Sequence, residues 1–179
     1  MTAQPALELD LVGRAVALLK NQELLPADRK IAPGDLPTVE QALRLGDSTP
    51  SKIPAVVIYL AADDATESVA PQVGTLQRVT ATLAVVHIIS APNTQRGAGG
   101  PAVDPMAALV GRTRAVLNGW LPALDPSEDH LPRRERIKGT ITHQDALALR
   151  RGRLLEIAKG RAWWQDEYLI SWRARAVLN

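Results

Sequence analysis

Residues 153–173 read RLLEIAKGRAWWQDEYLISWR. Read as extended chain, Trp164, Asp166, Tyr168, Ile170 and Trp172 fall on one face of a segment spanning 162–173. Lys159-Gly160 is a turn candidate, and 153–157 supplies the first arm of a hairpin. The same aromatics also recur at i, i+4 and i+8, so a helix is the alternative. The short turn and the strand-like partner segment favour the hairpin.

A second strand pair lies upstream. IPAVVIYL, residues 53–60, is β-branched and apolar between Pro50 and Asp63-Asp64, and reads as a buried strand. Residues 61–72 read as a polar, acidic loop. A long strand then starts at Val73 or Leu76 and runs to Ile89. Val79, Ala81, Leu83, Val85, His87 and Ile89 share one of its faces. Arg78, Thr80, Thr82 and Ala84 share the other, which turns apolar at Val86 and Ile88. One face is expected to be packed and the other half-wet.

Helical patterns surround these strands. Residues 10–25 place Leu11, Val12, Ala15, Val16, Leu18 and Leu19 in one stripe, with Asp10 as the expected N-cap and Pro26 as the stop. Residues 26–37 read as a loop, and Thr38-Val39-Glu40-Gln41 as a capping box opening a short helix to about Leu45. After the loop SAPNTQRGAGGPAV (90–103), Asp104-Pro105 is a cap followed by a first-turn proline. The helix it opens runs to Asn118 with Met106, Leu109, Val110, Thr113, Val116 and Leu117 inside, and Gly119 is its C-cap. Residues 121–136 read as another loop, and 140–148 as a strand end or a helical turn. The order α–α–β–β–α–β–β implies a single α+β domain over 1–179. Its mainly antiparallel sheet has about four strands flanked by helices, with long mobile loops near 61–75, 91–103 and 121–139.

Composition narrows the function. Of the 179 residues 46% are apolar but only 3% aromatic, with no Phe, so the core must rest on Ala, Val, Leu and Ile. The absence of Cys excludes disulfides, zinc–thiolate sites, Fe–S clusters and thiol nucleophiles. No apolar run approaches the ~20 residues of a membrane span. The N-terminus lacks the pattern of a secretory signal, so synthesis in the cytoplasm is the expectation. Residues 1–75 sum to a charge of −4 and residues 76–179 to +6. Interleaved acids make solvated faces a better reading of that asymmetry than a nucleic-acid surface, and complementary assembly faces fit it.

The sequence yields no catalytic constellation. His87, His130 and His143 lack metal-site spacing; His87 reads as a satisfied, half-buried strand residue and the others as solvated. His143 and Asp145 lack any recognisable nucleophile motif. Asp63-Asp64 with Glu67 lacks a calcium-loop pattern and reads as a solvated acidic loop. The glycine-rich stretch after Arg96 lacks the Gly-Lys-Ser/Thr ending of a phosphate cradle. Arg150-Arg151-Gly152-Arg153 reads as a strand flank that discourages edge pairing. Trp163 and Trp164 fall on opposite strand faces, and the ring turned away from the core is a candidate subunit contact.

Together, QRVTATLAVVHII (77–89), DPMAALVGRTRAVLNGWLP (104–122) and RRGRLLEIAKGRAWWQDEYLISWR (150–173) resemble the tail terminator proteins of long-tailed bacteriophages and prophages. The shared patterns are a helix ending in Gly119-Trp120-Leu121-Pro122, a Gly152-Arg153-Leu154-Leu155 strand, and an aromatic and acidic strand from Trp163 to Trp172. The basic stretch 132–138 is longer than that pattern.

The resemblance, spanning roughly 9–175, implies a virion structural protein rather than an enzyme, without metal or cofactor. Such proteins form a homohexameric ring, assembled in some cases only on the tube. The ring caps the head-proximal end of the tail tube, stops its polymerisation and meets the neck or connector proteins. DNA passes through the lumen without specific binding, and no membrane is involved. The implied location is the head–tail junction of the virion, after synthesis in the host bacterial cytoplasm. Another neck or head–tail completion ring is the alternative, and a nucleic-acid-binding module a more distant one. Loop and strand positions make Asp63, Asp64, Glu67, Arg96, Arg151, Arg153 and Trp163 the expected interface residues.

Overall fold

A computed structural model describes residues 7–27, 29–34, 53–69, 75–90, 103–123, 125–137, 145–158 and 161–176. Chain order is α1 (Leu7–Asn21), β1 (Lys30–Pro33), β2 (Ala55–Val69), β3 (Thr75–Ser90), α2 (Val103–Leu117), β4 (Ala148–Ala158) and β5 (Arg161–Ala176). The strands form one five-stranded sheet in the order β1-β2-β3-β5-β4. Only the β1–β2 pair is parallel; the rest are antiparallel. The α+β class and the antiparallel sheet are as the sequence implies.

The hairpin reading of the C-terminal stretch holds, with both strands longer than the pattern suggests. β3 and β5 are its spine, in unbroken register from Thr75↔Ala176 to Ser90↔Arg161. That register stacks His87 beside Trp164, Val85 beside Asp166 and Leu83 beside Tyr168.

Three expectations are corrected. Residues 61–69 are not a loop but the second half of β2, still paired to β3 from Ala62↔Thr82 to Val69↔Leu76. Their polar sequence has little strand propensity, so the long partner β3 supplies what the side chains do not. Residues 30–33, inside the expected 26–37 loop, form the fifth strand β1 through pairing with Ala55–Ile58. Asp10 lies within α1 rather than capping it, because Leu7, Glu8 and Leu9 are good helix formers that extend the helix one turn upstream. The expected short helix at 38–45, the Lys159-Gly160 turn and most of 91–103 lie outside the described residues.

The end of α1 shows how burial overrides local preference. Glu23 adopts a left-handed φ of 48°, uncommon for a residue with a side chain. The following Leu24 is thereby tucked into the core at 2% exposure.

Both faces of the sheet carry buried apolar residues. One face packs Val56, Ile58, Leu83, Val85, Tyr168 and Ile170 against α1 and α2 in the main core. The helices contribute the expected stripes: Leu11, Ala15, Val16, Leu18 and Leu19 from α1, and Met106, Leu109, Val110 and Leu117 from α2. The opposite face holds a smaller cluster of Ala55, Tyr59, Ala84, Val86, Ile88 and Trp163. The expected half-wet face is therefore buried at Ala84 as well as at Val86 and Ile88.

Candidate functional site

The sequence between α2 and β4 shows what the Gly-Trp-x-Pro turn does. Gly119 adopts φ 83°, the left-handed conformation that ends a helix and suits glycine. Its amide donates to the Leu147 carbonyl at 2.7 Å, and the Leu147 amide donates back to the Trp120 carbonyl at 2.8 Å. The Asn118 side-chain oxygen accepts from the Leu149 amide at 3.1 Å. The turn thus clasps the entry to β4, with Trp120 and Leu147 buried beneath it.

Ion pairs fix the layers around that clasp. Arg14 of α1 donates from Nε and Nη2 to the Asp129 carboxylate at 2.7 and 2.6 Å, and from Nη2 to the Ala123 carbonyl at 2.6 Å. The Ala123 amide donates to the same carboxylate at 2.7 Å. Both side chains are only 7% exposed. Arg136 donates to the carbonyls of Leu121 and Leu131 at 2.6 and 3.0 Å. Residues 125–137 are therefore tied to the body and contain two short 3-10 turns, Pro126–Glu128 and Arg133–Glu135. Among the residues they present outward are Arg133, Ile137, which is 91% exposed, and Arg134, which lies 3.5 Å from Glu135.

Arg114 of α2 reaches the sheet. It forms a two-pronged pair with Asp166 at 2.9 and 2.7 Å, and Trp164 Nε1 donates to Asp166 at 2.8 Å. The guanidinium also lies 5.8 Å from the Trp164 ring centroid. The bond to Asp166 pushes the Arg114 pKa further up. Gly152 on β4 makes room for this cluster: a Cβ there would collide with the Arg114 guanidinium and the Asp166 carboxylate. Burial, with the Asp166 charge beside it, also pushes the Tyr168 phenol pKa up.

His87 lies beside this cluster, fully buried rather than half-buried. Neither ring nitrogen meets a hydrogen-bond partner among the described residues, so the expected satisfied histidine is corrected. Burial holds its pKa down to about 4, against an opposing pull from Asp166. The imidazole is neutral near pH 7. His130 is exposed, and His143 lies outside the described residues.

The surface candidates separate into two sets. Arg150, Arg151 and Arg153 stand exposed on β4, an edge strand of the sheet. Arg151 pairs with Glu167 at 2.8 Å through two nitrogens, and Gln165 donates to Glu167 at 3.0 Å. The Arg151 bond holds the Glu167 pKa low. Asp63, Asp64 and Glu67 lie along β2, on the far side of the sheet from β4. Arg96 lies outside the described residues.

Trp163 and Trp164 do take opposite faces. Trp163, however, is only 5% exposed and belongs to the second-face cluster, so its ring is not open on the surface of this chain. Arg14, Arg114, Asp129, Asp166 and Glu167 are each engaged in an ion pair within the fold. Among the described residues no group of three or more His, Asp or Glu is arranged to hold a metal, and no helix is long and apolar enough to cross a membrane. The pairs Arg14–Asp129 and Arg114–Asp166 escaped the sequence reading because 115 and 52 positions separate their members. Gly152 inside a strand pattern was the available signal of close approach.

Comparison with known proteins adds three findings. A family model described as "Phage tail terminator protein" matches residues 32–176. No curated protein matches the sequence. Among solved structures, a chain of the "Virion of native gene transfer agent (GTA) particle" aligns over 90% of this chain and 94% of its own, at 12% identity and a TM-score of 0.37.

Proposed function

This chain belongs to the phage tail terminator family, and on that premise we propose that it caps the head-proximal end of a tail tube. In this role a homohexameric ring sits on the last layer of tube subunits, ends polymerisation and offers its free axial face to the neck or connector proteins. The protein works in the virion at the head–tail junction, as a structural part rather than a catalyst. DNA passes through its lumen without specific binding.

The observation that carries the reading is the reach of the family match. Residues 32–176 take in α2, the Gly-Trp-x-Pro clasp and nearly the whole sheet. The similarity therefore follows the folded body rather than one short motif. The exposed surface supports an assembly role through its edge-strand arginines and the outward Arg133, Arg134 and Ile137.

The test is to add the purified protein to purified tail tubes and image them by electron microscopy. The reading expects added density with six-fold symmetry at one end of each tube. Undecorated ends at saturating protein overturn it.

A further inference from the structure

Among the described residues the sheet has two margins without a neighbouring strand, and their sequences carry opposite charge. β1 covers β2 only from Ala55 to Ile58, so residues 59–69 of β2 have no strand beside them among the described residues. At the other margin, the 11 residues of β4 pair with β5 alone. The Asn118 side chain takes the Leu149 amide, so the strand-free margin of β4 begins beyond Leu149.

The first free stretch holds Asp63, Asp64 and Glu67 and no basic residue; the second holds Arg150, Arg151 and Arg153, with Glu156 its one acid. Bulges interrupt β2 between Leu60 and Ala62 and between Thr66 and Val69. They interrupt β4 between Leu149 and Arg151 and between Leu154 and Glu156. The uninterrupted windows are therefore 62–66 and 151–154, and most of the charges sit in or beside them. Backbone register puts the Asp64 position opposite Thr80, and puts Arg151 and Arg153 opposite Glu167 and Gln165. By strand alternation these three positions share one sheet face, the one that carries Tyr59 and Trp163.

We propose that the β4 edge of one copy pairs with the 62–66 edge of β2 in the next copy, forming a continuous sheet across each subunit boundary. The inference rests on the ring reading above and names the seam that closes the ring. The two surfaces differ, so the contact is head-to-tail, the type that closes into a ring or extends as a filament. Main-chain hydrogen bonds between open edges supply a contact that any edge strand offers. Charge supplies the selectivity: an arginine edge repels another arginine edge and accepts an acidic one. The bulges keep the pairing short and limit runaway growth of sheet.

Two charge-reversed variants test this. One carries Arg150→Glu with Arg153→Glu, so both of its edges are acidic. The other carries Asp63→Lys with Asp64→Lys, so both of its edges are basic. Arg151 is left in place because it neutralises Glu167. Native mass spectrometry and light scattering follow each variant alone and the equimolar mixture, with circular dichroism as the folding check. Each variant alone is expected to self-associate at least about tenfold more weakly than the native chain. The mixture is expected to regain association in a one-to-one, alternating assembly. Recovery on mixing shows that neither variant was merely misfolded. A mixture no more associated than its components overturns the seam, as do variants that each assemble like the native chain. Tube capping by the native protein is scored separately: capping with no effect of either reversal sinks the seam alone, and no capping sinks the terminator reading.

Discussion

The helix-covered face of the sheet and the face behind it both bury polar side chains, but they deal with the charge differently. On the helix side, Arg14–Asp129 is closed from water on both partners, and Asp166 is fully buried against Arg114. On the other side, buried Glu167 is neutralised by Arg151, whose side chain is 54% exposed on the edge strand. Removing Asp129 leaves the Arg14 guanidinium closed from water, whereas removing Arg151 leaves Glu167, equally closed, still accepting from the Gln165 amide. The helix side should therefore govern whether the chain folds, and the exposed end of the second face what it assembles with.

The largest effect expected is from Asp129→Ala. It strands Arg14 in the interior and removes the acceptor of the Ala123 amide, at a cost of about 3–5 kcal/mol in denaturant unfolding. A loss no larger than that of a surface substitution breaks the contrast between the two sides.

Next is the acid limb set by His87. With its pKa at about 4 in the fold against 6.5 ordinarily, the unfolded chain binds a proton between those values that the folded chain does not. The contribution is intact above pH 6.5 and is lost as pH falls toward 4, by about 3 kcal/mol. His87→Leu removes the two unpartnered nitrogens and should flatten this limb while costing little at pH 7. An unchanged pH profile would remove His87 as its source.

Gly152→Ala comes third. A Cβ at that position meets the Arg114–Asp166 pair, so calorimetry should show a destabilisation of about 1–3 kcal/mol. If the variant is as stable as the native chain, the cluster is looser than its hydrogen bonds imply.

The smallest effect on stability is expected for Arg153→Ala, an exposed position on the edge strand, whose melting temperature should match that of the native chain. Any consequence should appear in ring association instead. A marked fall in melting temperature would place the second face among the elements that hold the fold.

Much of the fold was legible from side-chain periodicity. The stripe on α2, the Gly119 cap and the alternation along β3 and β5 are local patterns, and each predicts its own element. β1 and the outer half of β2 were not legible because their strand character comes from a neighbour. KIAP and ADDATESV gain hydrogen-bonding partners only once β2 and β3 lie alongside. The start of α1 was misplaced because Asp10 is a good cap in isolation, while the preceding Leu-Glu-Leu is a good helix. For the candidate surface, the sequence picked out Arg151 and Arg153 through their clustering, and the structure puts them on an open edge. Trp163 drew notice as a large aromatic on the second face, and only the tertiary packing reveals that it is buried. The sealed pairs needed three dimensions, since no local rule links Arg14 to Asp129.

The central claim is that this protein ends a tail tube. The most direct measurement is tube length as purified tube subunits polymerise in the presence of rising, substoichiometric amounts of the protein. The account predicts that growth at one end halts, and that mean length falls in proportion to the caps added. Tubes that elongate at the same rate and to the same length whatever the dose would contradict it.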